Sequence, residues 1–288
     1  MTAPIAIVGA NGNQGSATAR TLLERGAPVR AIVRDPATGQ ELAAAGAEVV
    51  VADLADEGGT AAALADCGAM FLALPLLFDL EEEVALGRSA IAAAQVAGVP
   101  YLVYTAGLDA GDRDIGASFI DAKRRIIATA RASGVPTLVL RPTMFMENLR
   151  LERDAILSGE LRAPVPPELR MSYVAVRDVG RASAAALLRP DLAGEEFVIQ
   201  GPEALDGDER AAALARGLGR EVHYRQIPLA DVEAVSPPFA AMWAEIAEQG
   251  GLGGSDASQM ALQPGDRLSL EDWAREAFAA PSPAAPTE

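Results

Sequence analysis

The sequence predicts an α/β fold, a doubly wound parallel sheet followed by a smaller C-terminal α+β lobe. Three observations carry this expectation. Short apolar strands alternate with helical stretches through the first half of the chain, the pattern of a parallel sheet covered by helices on both faces. The first strand runs into three glycines spaced by two residues, Gly9-Ala10-Asn11-Gly12-Asn13-Gln14-Gly15. Beyond residue 148 the strict alternation fades.

Ile5-Ala6-Ile7-Val8 is the first strand. Gly9 suits the tight turn leaving it, Gly12 lets backbone approach a pyrophosphate, and Gly15 lets the helix expected from Ser16 to Arg25 pack closely on the strand. The helix start then presents unpaired N–H groups and the positive end of the dipole to an anion. Glycine triplets also occur in ordinary loops. The strand before this one and the helix after it are what make it a phosphate-binding turn, with Asn11, Asn13 and Gln14 beside the glycines.

Pro28 to Arg34 reads as the second strand, closed by Asp35-Pro36. In a dinucleotide fold the tip of this strand meets the adenosine ribose, where an acid binds a free 2′-hydroxyl and an arginine suits a 2′-phosphate. Arg34 stands at that tip with Arg30 nearby, so NADP(H) is expected in preference to NAD(H). Asp35 could take the hydroxyl role instead, and a solvated arginine is the bland alternative.

The alternation continues with a helix near Thr38 to Ala45, a strand from Glu48 to Asp53, a helix near Thr60 to Asp66 and a strand from Ala69 to Leu74. Asp53 falls at a strand's C-terminal end, where it can contact adenine or simply cap a turn. Leu74, Pro75 and Leu76 follow the fourth strand and should run along the cofactor. A long helix, Leu80 to Ala97, precedes a fifth strand that ends at Thr105. A second long helix, Ala117 to Ser133, carries Lys123, and the strand Thr137 to Arg141 follows.

The chain divides on this reading into a dinucleotide-binding domain, 1–148, a small substrate lobe, 149–280, part of which can return to the sheet, and a tail, 281–288, without expected order. In the lobe, Arg170 to Val176, Glu196 to Ile199 and Val222 to Ile227 read as strands. Asp178 to Leu188 and Asp206 to Leu218 read as helices, and Gly250 to Ser255 as a flexible loop.

Half of the 288 residues are hydrophobic, enough to bury a sizeable core. A formal net charge of −16, from 40 acidic and 24 basic residues, argues against a surface that tracks nucleic-acid phosphates. No stretch approaches the roughly 20 apolar residues of a membrane span, and no basic, then apolar leader opens the chain, so a cytoplasmic protein is expected. The single cysteine, Cys67, excludes an intrachain disulfide, and with the single histidine, His223, it leaves little for a metal centre.

Taken together, five segments resemble the NmrA-like group of atypical short-chain dehydrogenases/reductases over nearly the whole chain. They are the glycine turn, Arg34-Asp35-Pro36, Ala52-Asp53-Leu54, Arg141-Pro142-Thr143-Met144-Phe145-Met146-Glu147-Asn148 and Val176-Arg177-Asp178-Val179-Gly180-Arg181. The resemblance implies a Rossmann domain with NADP(H) in the cleft between domain and lobe, Arg34 on the 2′-phosphate and Lys123 near the nicotinamide ribose. Lys123 also has a bland reading, as one of three consecutive basic residues on a solvated helix face.

One departure bears on the chemistry. Mainstream members of the wider group place a tyrosine one helical turn before the lysine as proton donor. Here that position is Phe119, which has no proton to give. Thr105 and Tyr173 are the remaining candidates for a donor. The pocket is expected from Leu76, Leu77, Phe78, Met144, Phe145 and Asn148. Positioning a hydride donor against a small electrophilic or aromatic acceptor, quinone-like or imine-like, needs little more. The sequence also leaves open a non-catalytic NAD(P) sensor that reports to a protein partner, a non-redox tailoring enzyme on the same fold, and a homodimer.

Overall fold

The computed structural model describes residues 3–107, 113–253, 262 and 266–279. The expected tail, Pro281 to Glu288, and Gly254 and Ser255 of the expected loop lie outside them.

Seven parallel strands form the central sheet. They are β1 (Ile5–Val8), β2 (Val29–Val33), β3 (Glu48–Val51), β4 (Ala69–Leu72), β5 (Leu102–Thr105), β6 (Thr137–Pro142) and, much later, β10 (Glu196–Ile199). Their order is β10-β6-β5-β4-β1-β2-β3. Strands β1, β4 and β5 are buried throughout, which is why they read as unbroken apolar runs. Helices cover both faces. On one side α1 (Asn13–Glu24), α2 (Gln40–Ala44) and α7 (Val176–Leu187) pack over Ile5, Ile7 and Phe71. On the other, α3 (Glu57–Ala63), α4 (Leu80–Val96) and α5 (Ser118–Ala132) pack over Ala6, Val8, Met70 and Leu72. Strand order reverses between β1 and β4, so their C-terminal ends open a crevice, the usual ligand position in open α/β sheets.

Helix α1 starts at Asn13 on a Gly12 N-cap, three residues before the expected Ser16. Glycine lowers helix propensity, yet here the close packing of the first turn on β1 outweighs that. Helix α2 is preceded by a turn of 3₁₀ helix, Pro36–Gly39, capped by Asp35.

The lobe holds β7 (Met144–Phe145), β8 (Glu160–Ala163), β9 (Met171–Val174), β11 (Ala204–Leu205) and β12 (His223–Gln226). They form a three-stranded sheet, β11-β9-β7, and a two-stranded one, β12-β8. Among the described residues, five helices surround them: α6 (Arg153–Leu157), α8 (Gly207–Leu218), α9 (Leu229–Val235), α10 (Pro237–Glu248) and α11 (Leu270–Ala279). Leu161, Met171, Leu214, Ile246 and Trp273 centre its core. Not all of the chain beyond residue 148 stays there. Strand β10 pairs with β6, and α7 packs so closely on α1 that a Cβ at Gly180 would lie 2.6 Å from the Ala17 carbonyl carbon. No helix among the described residues is long and apolar enough to cross a membrane.

Candidate functional site

A cleft of about 600 Å³ runs across the C-terminal ends of the strands, from Arg34 and Asp53 at one end to Phe239 and Met242 of the lobe at the other.

Its first half is backbone. Gly9 has φ +78°, and a Cβ there would sit 2.4 Å from the Ala73 carbonyl oxygen. A Cβ at Gly15 would sit 2.1 Å from the Gly9 carbonyl oxygen, so the chain itself requires both glycines. Gly12 differs in degree: its φ is −80°, and a Cβ there would meet the Gly9 carbonyl oxygen at 3.3 Å, a tight but not prohibitive contact. The Gly12 N–H donates to Gly9 O at 3.0 Å, closing the turn, and no side chain among the described residues caps α1. The first-turn N–H groups are thus left without a side-chain partner, the chemistry that suits a pyrophosphate.

At the end of β2, Arg34 lines the cleft, exposed and without an ion-pair partner among the described residues. Its neighbour Asp35 spends one carboxylate oxygen on Ala37 N–H at 2.9 Å, capping the 3₁₀ turn. Asp53 lines the cleft and accepts from Ala55 N–H at 3.0 Å, the turn cap of the two readings the sequence offered. Leu54, Leu74 and Pro75 line the same stretch, as do Asn11, Asn13 and Gln14. The Thr105 hydroxyl donates to Gln14 Oε1 at 2.7 Å, tying the tip of β5 to the glycine turn.

Lys123 reaches the cleft from α5. Its Nζ donates to Glu83 Oε1 at 2.7 Å and to Phe119 O at 3.2 Å. Glu83, on α4, is fully buried, and that burial pushes its carboxyl up while the Lys123 charge and the Leu77 backbone pull it down. Lys123 is therefore not a solvated surface lysine. Tyr104 is buried on β5, its phenol pushed well above its ordinary range first by burial and then by the Glu83 charge.

The second half is apolar. Leu76, Met144 and Phe145 line it with Asn148, as expected. Three expectations need correcting. Leu77 and Phe78 do not line the cleft, because the chain turns there into the Asp79 cap of α4. Phe78 stands half-exposed at the rim, edge-on to Phe119 at 6.3 Å and to Phe239 at 5.7 Å between ring centres. Tyr173 is also outside the lining. It is buried in the lobe, where its hydroxyl accepts from Arg210 Nη1 at 3.3 Å and the guanidinium lies over its ring.

Sequence reading missed the far wall, formed by Phe239, Met242 and Ile246 on α10 with Leu252. Their spacing marks one apolar helix face, but nothing in it says that the face covers a ligand. Of the described lining residues only Asp53 is acidic, and it lies at the nucleotide end. No cluster among the described residues could hold a metal ion.

Comparison with known proteins agrees with this geometry. The NAD(P)H azoreductase of Xenophilus azovorans is 33% identical over 229 residues, covering 78% of this chain and 77% of the relative. The NADPH-dependent quinone oxidoreductase of Escherichia coli complexed with NADPH superposes with a TM-score of 0.81 at 26% identity, covering 95% of this chain and 99% of that one. Citrobacter sp. triphenylmethane reductase complexed with NADP(H) shares the fold, with a TM-score of 0.81 at 21% identity over 95% of this chain and 99% of that one. The sequence model of the NmrA-like family matches residues 1–252. A glycine cradle at the sheet's switch point, closed on its far side by a small apolar lobe, is what such a match leads one to find: the chain belongs to the NmrA-like family.

Proposed function

We propose that this protein is an NADPH-dependent reductase of small planar aromatic electrophiles, quinones foremost. The observation that carries the reading is a single continuous cleft that joins a backbone cradle for a dinucleotide to an apolar, acid-free chamber walled by aromatic rings. The relatives named azoreductase and quinone oxidoreductase act on conjugated acceptors of the kind such a chamber suits.

Arg34 supports NADP(H) over NAD(H). It is the one cation at the adenosine end of the described lining, and the adjacent acid is engaged in capping, so a 2′-phosphate would find a charge-assisted partner there. The Gly9–Gly15 turn takes the pyrophosphate on backbone N–H groups. Lys123 has used two of its three N–H donors inside the protein, and the third is available to a ribose hydroxyl.

Bound in this cleft, the reduced cofactor supplies the hydride. The chain's own work is placement and exclusion of water. Phe119, Met144, Phe145, Phe239 and Met242 would hold a flat ring system against the nicotinamide end, with aromatic edges worth about 1 kcal/mol per pair beyond area burial. Phe119 donates no proton. A quinone accepts hydride to give the hydroquinone monoanion, which takes its one remaining proton from water at the open rim, so the missing tyrosine costs this substrate class least. The acid-free chamber disfavours cationic acceptors relative to neutral ones.

The test mixes protein with NADPH or NADH and a panel of neutral quinones, azo compounds and cationic dyes. The reading expects turnover with NADPH above the uncatalysed rate, fastest with neutral quinones. Absence of turnover across the panel, with NADPH bound, would leave the non-catalytic sensor as the better account.

A further inference from the structure

We infer that Glu83 is the positioning residue for Lys123: a buried carboxylate on α4 that holds the lysine against the nicotinamide end of the cofactor. The inference rests on the NADP(H) reading of the cleft.

The sequence hides this residue in Glu81-Glu82-Glu83, a run at the start of α4 that reads as three solvated acids favoured by the helix dipole. The structure separates them. Glu81 is exposed and pairs with Arg125 at 2.6 Å, while Glu83 is fully buried at the crossing of α4 and α5. Its buried neighbours in that crossing are close-packed and apolar: at Gly87, one turn further along α4, a Cβ would lie 2.6 Å from Ile126.

A pair placed only for stability would not look like this. Burying a carboxylate and an ammonium together rarely improves on apolar packing, and the exchange worsens when one oxygen lacks a partner. Glu83 Oε2 has none among the described residues, and the Tyr104 hydroxyl on β5, close enough for the Glu83 charge to act on it, has none either. Such costs are commonly kept where a site needs a charge held still. Here the charge held is Lys123, whose ammonium opens to the cleft on its other side.

The geometry specifies how holding works. Glu83 Oε1 takes one ammonium proton at 2.7 Å and the Phe119 carbonyl takes a second at 3.2 Å. Two anchors on different helices fix the direction of the third N–H, which a rotating surface lysine could not do. The Leu77 backbone, in the loop that carries Pro75 and Leu76 along the cleft, also favours the charged form of this carboxyl. Neutralising Glu83 should loosen Lys123 without touching the adenosine end.

The test is a double-mutant cycle on cofactor binding. Glu83→Gln, Lys123→Met and the double variant are titrated with NADPH and, separately, with adenosine 2′,5′-bisphosphate, which occupies only the end near Arg34. Glu83→Gln is expected to weaken NADPH about tenfold and to leave the bisphosphate unchanged within about twofold. In the Lys123→Met background the same substitution should cost no further NADPH affinity, because Glu83 acts through Lys123. Equal losses for both ligands, or a full additional loss in the Lys123→Met background, would mean a structural role and overturn the inference. Unchanged NADPH binding by Glu83→Gln would overturn it too. If Glu83→Gln fails to fold, Glu83→Asp, which keeps the charge but draws it back from the ammonium, takes its place in the cycle with the same expected and overturning outcomes. Failure of the unaltered protein to bind either ligand would sink the NADP(H) reading instead, so the two failures are distinguishable.

Discussion

The nucleotide half of the cleft is made of backbone, set by two glycines that the chain cannot replace and by the ends of fully buried strands. The substrate half is made of side chains, brought from the β4–α4 loop, α5, the segment after β6 and the lobe helix α10. Backbone geometry leaves little freedom, so the first half holds one kind of ligand. A wall of Met, Phe and Leu can change with each substitution while the sheet beneath stays put, so the second half is where a family of this kind can diversify its acceptors.

If that contrast is right, substitutions in the two halves fail differently. The largest effect is expected at Gly9→Ala, where a positive φ and a 2.4 Å clash with the Ala73 carbonyl coincide. It should cost about 2 kcal/mol or more in stability and abolish detectable NADPH binding. Gly12→Ala, whose Cβ would press on the Gly9 carbonyl oxygen at 3.3 Å, should lower the unfolding midpoint much less than Gly9→Ala and weaken NADPH about tenfold. Thermal melts beside fluorescence titrations would show whether the two glycines separate in this way.

Arg34→Ala comes next. Losing a charge-assisted contact of about 2–3 kcal/mol should shrink the preference for NADPH over NADH by about 50-fold, with NADH binding hardly altered. A preference that survives the substitution would move the specificity elsewhere. In the substrate half, Phe239→Ala should lower kcat/KM for naphthoquinones about tenfold and leave the NADPH dissociation constant unchanged. If NADPH binding fell equally, the two halves would not be independent.

A smaller effect separates Lys123 from its surroundings through pH. Burial raises the Glu83 carboxyl above its unfolded value, so the folded state holds that proton up to a higher pH than the unfolded chain does. Ionising it therefore costs stability above the folded pKa, and Lys123→Met, which removes the compensating charge, should enlarge that cost. The melting gap between this variant and the unaltered protein should narrow as pH falls. The smallest effect belongs to Tyr173→Phe: its hydroxyl faces Arg210, not the cleft, so turnover should change less than about threefold with an unaltered pH profile.

The nucleotide half was legible in the sequence because its determinants are local. Gly9, Gly12, Gly15 and Arg34 sit at fixed offsets from strands that announce themselves by apolar runs, and the fold follows from the alternation of those strands with helices. The substrate half was legible only where it continues the same strand ends, at Leu76 and at Met144, Phe145 and Asn148. Phe239, Met242 and Ile246 arrive from about a hundred residues away, and a helix face shows that it will be covered without showing by what. Tyr173 could not be placed because strand alternation gives two sides and not their contents; the side it took belongs to Arg210. Glu83 was hidden by its neighbours. Three adjacent acids look alike in sequence, and only the crossing of α4 with α5 buries one of them.

We propose that hydride passes from a cofactor held in the first half to an acceptor held in the second. Single-turnover mixing of the NADPH-loaded protein with a neutral naphthoquinone, using NADPH of either label at the transferred position of the nicotinamide, tests it most directly. The account predicts loss of the reduced-nicotinamide signal that saturates with quinone, outpaces free NADPH, and slows about two- to fivefold with deuterium at one face only, as a positioned donor requires. A rate equal to that of free NADPH, without saturation and without preference between the two faces, would contradict it.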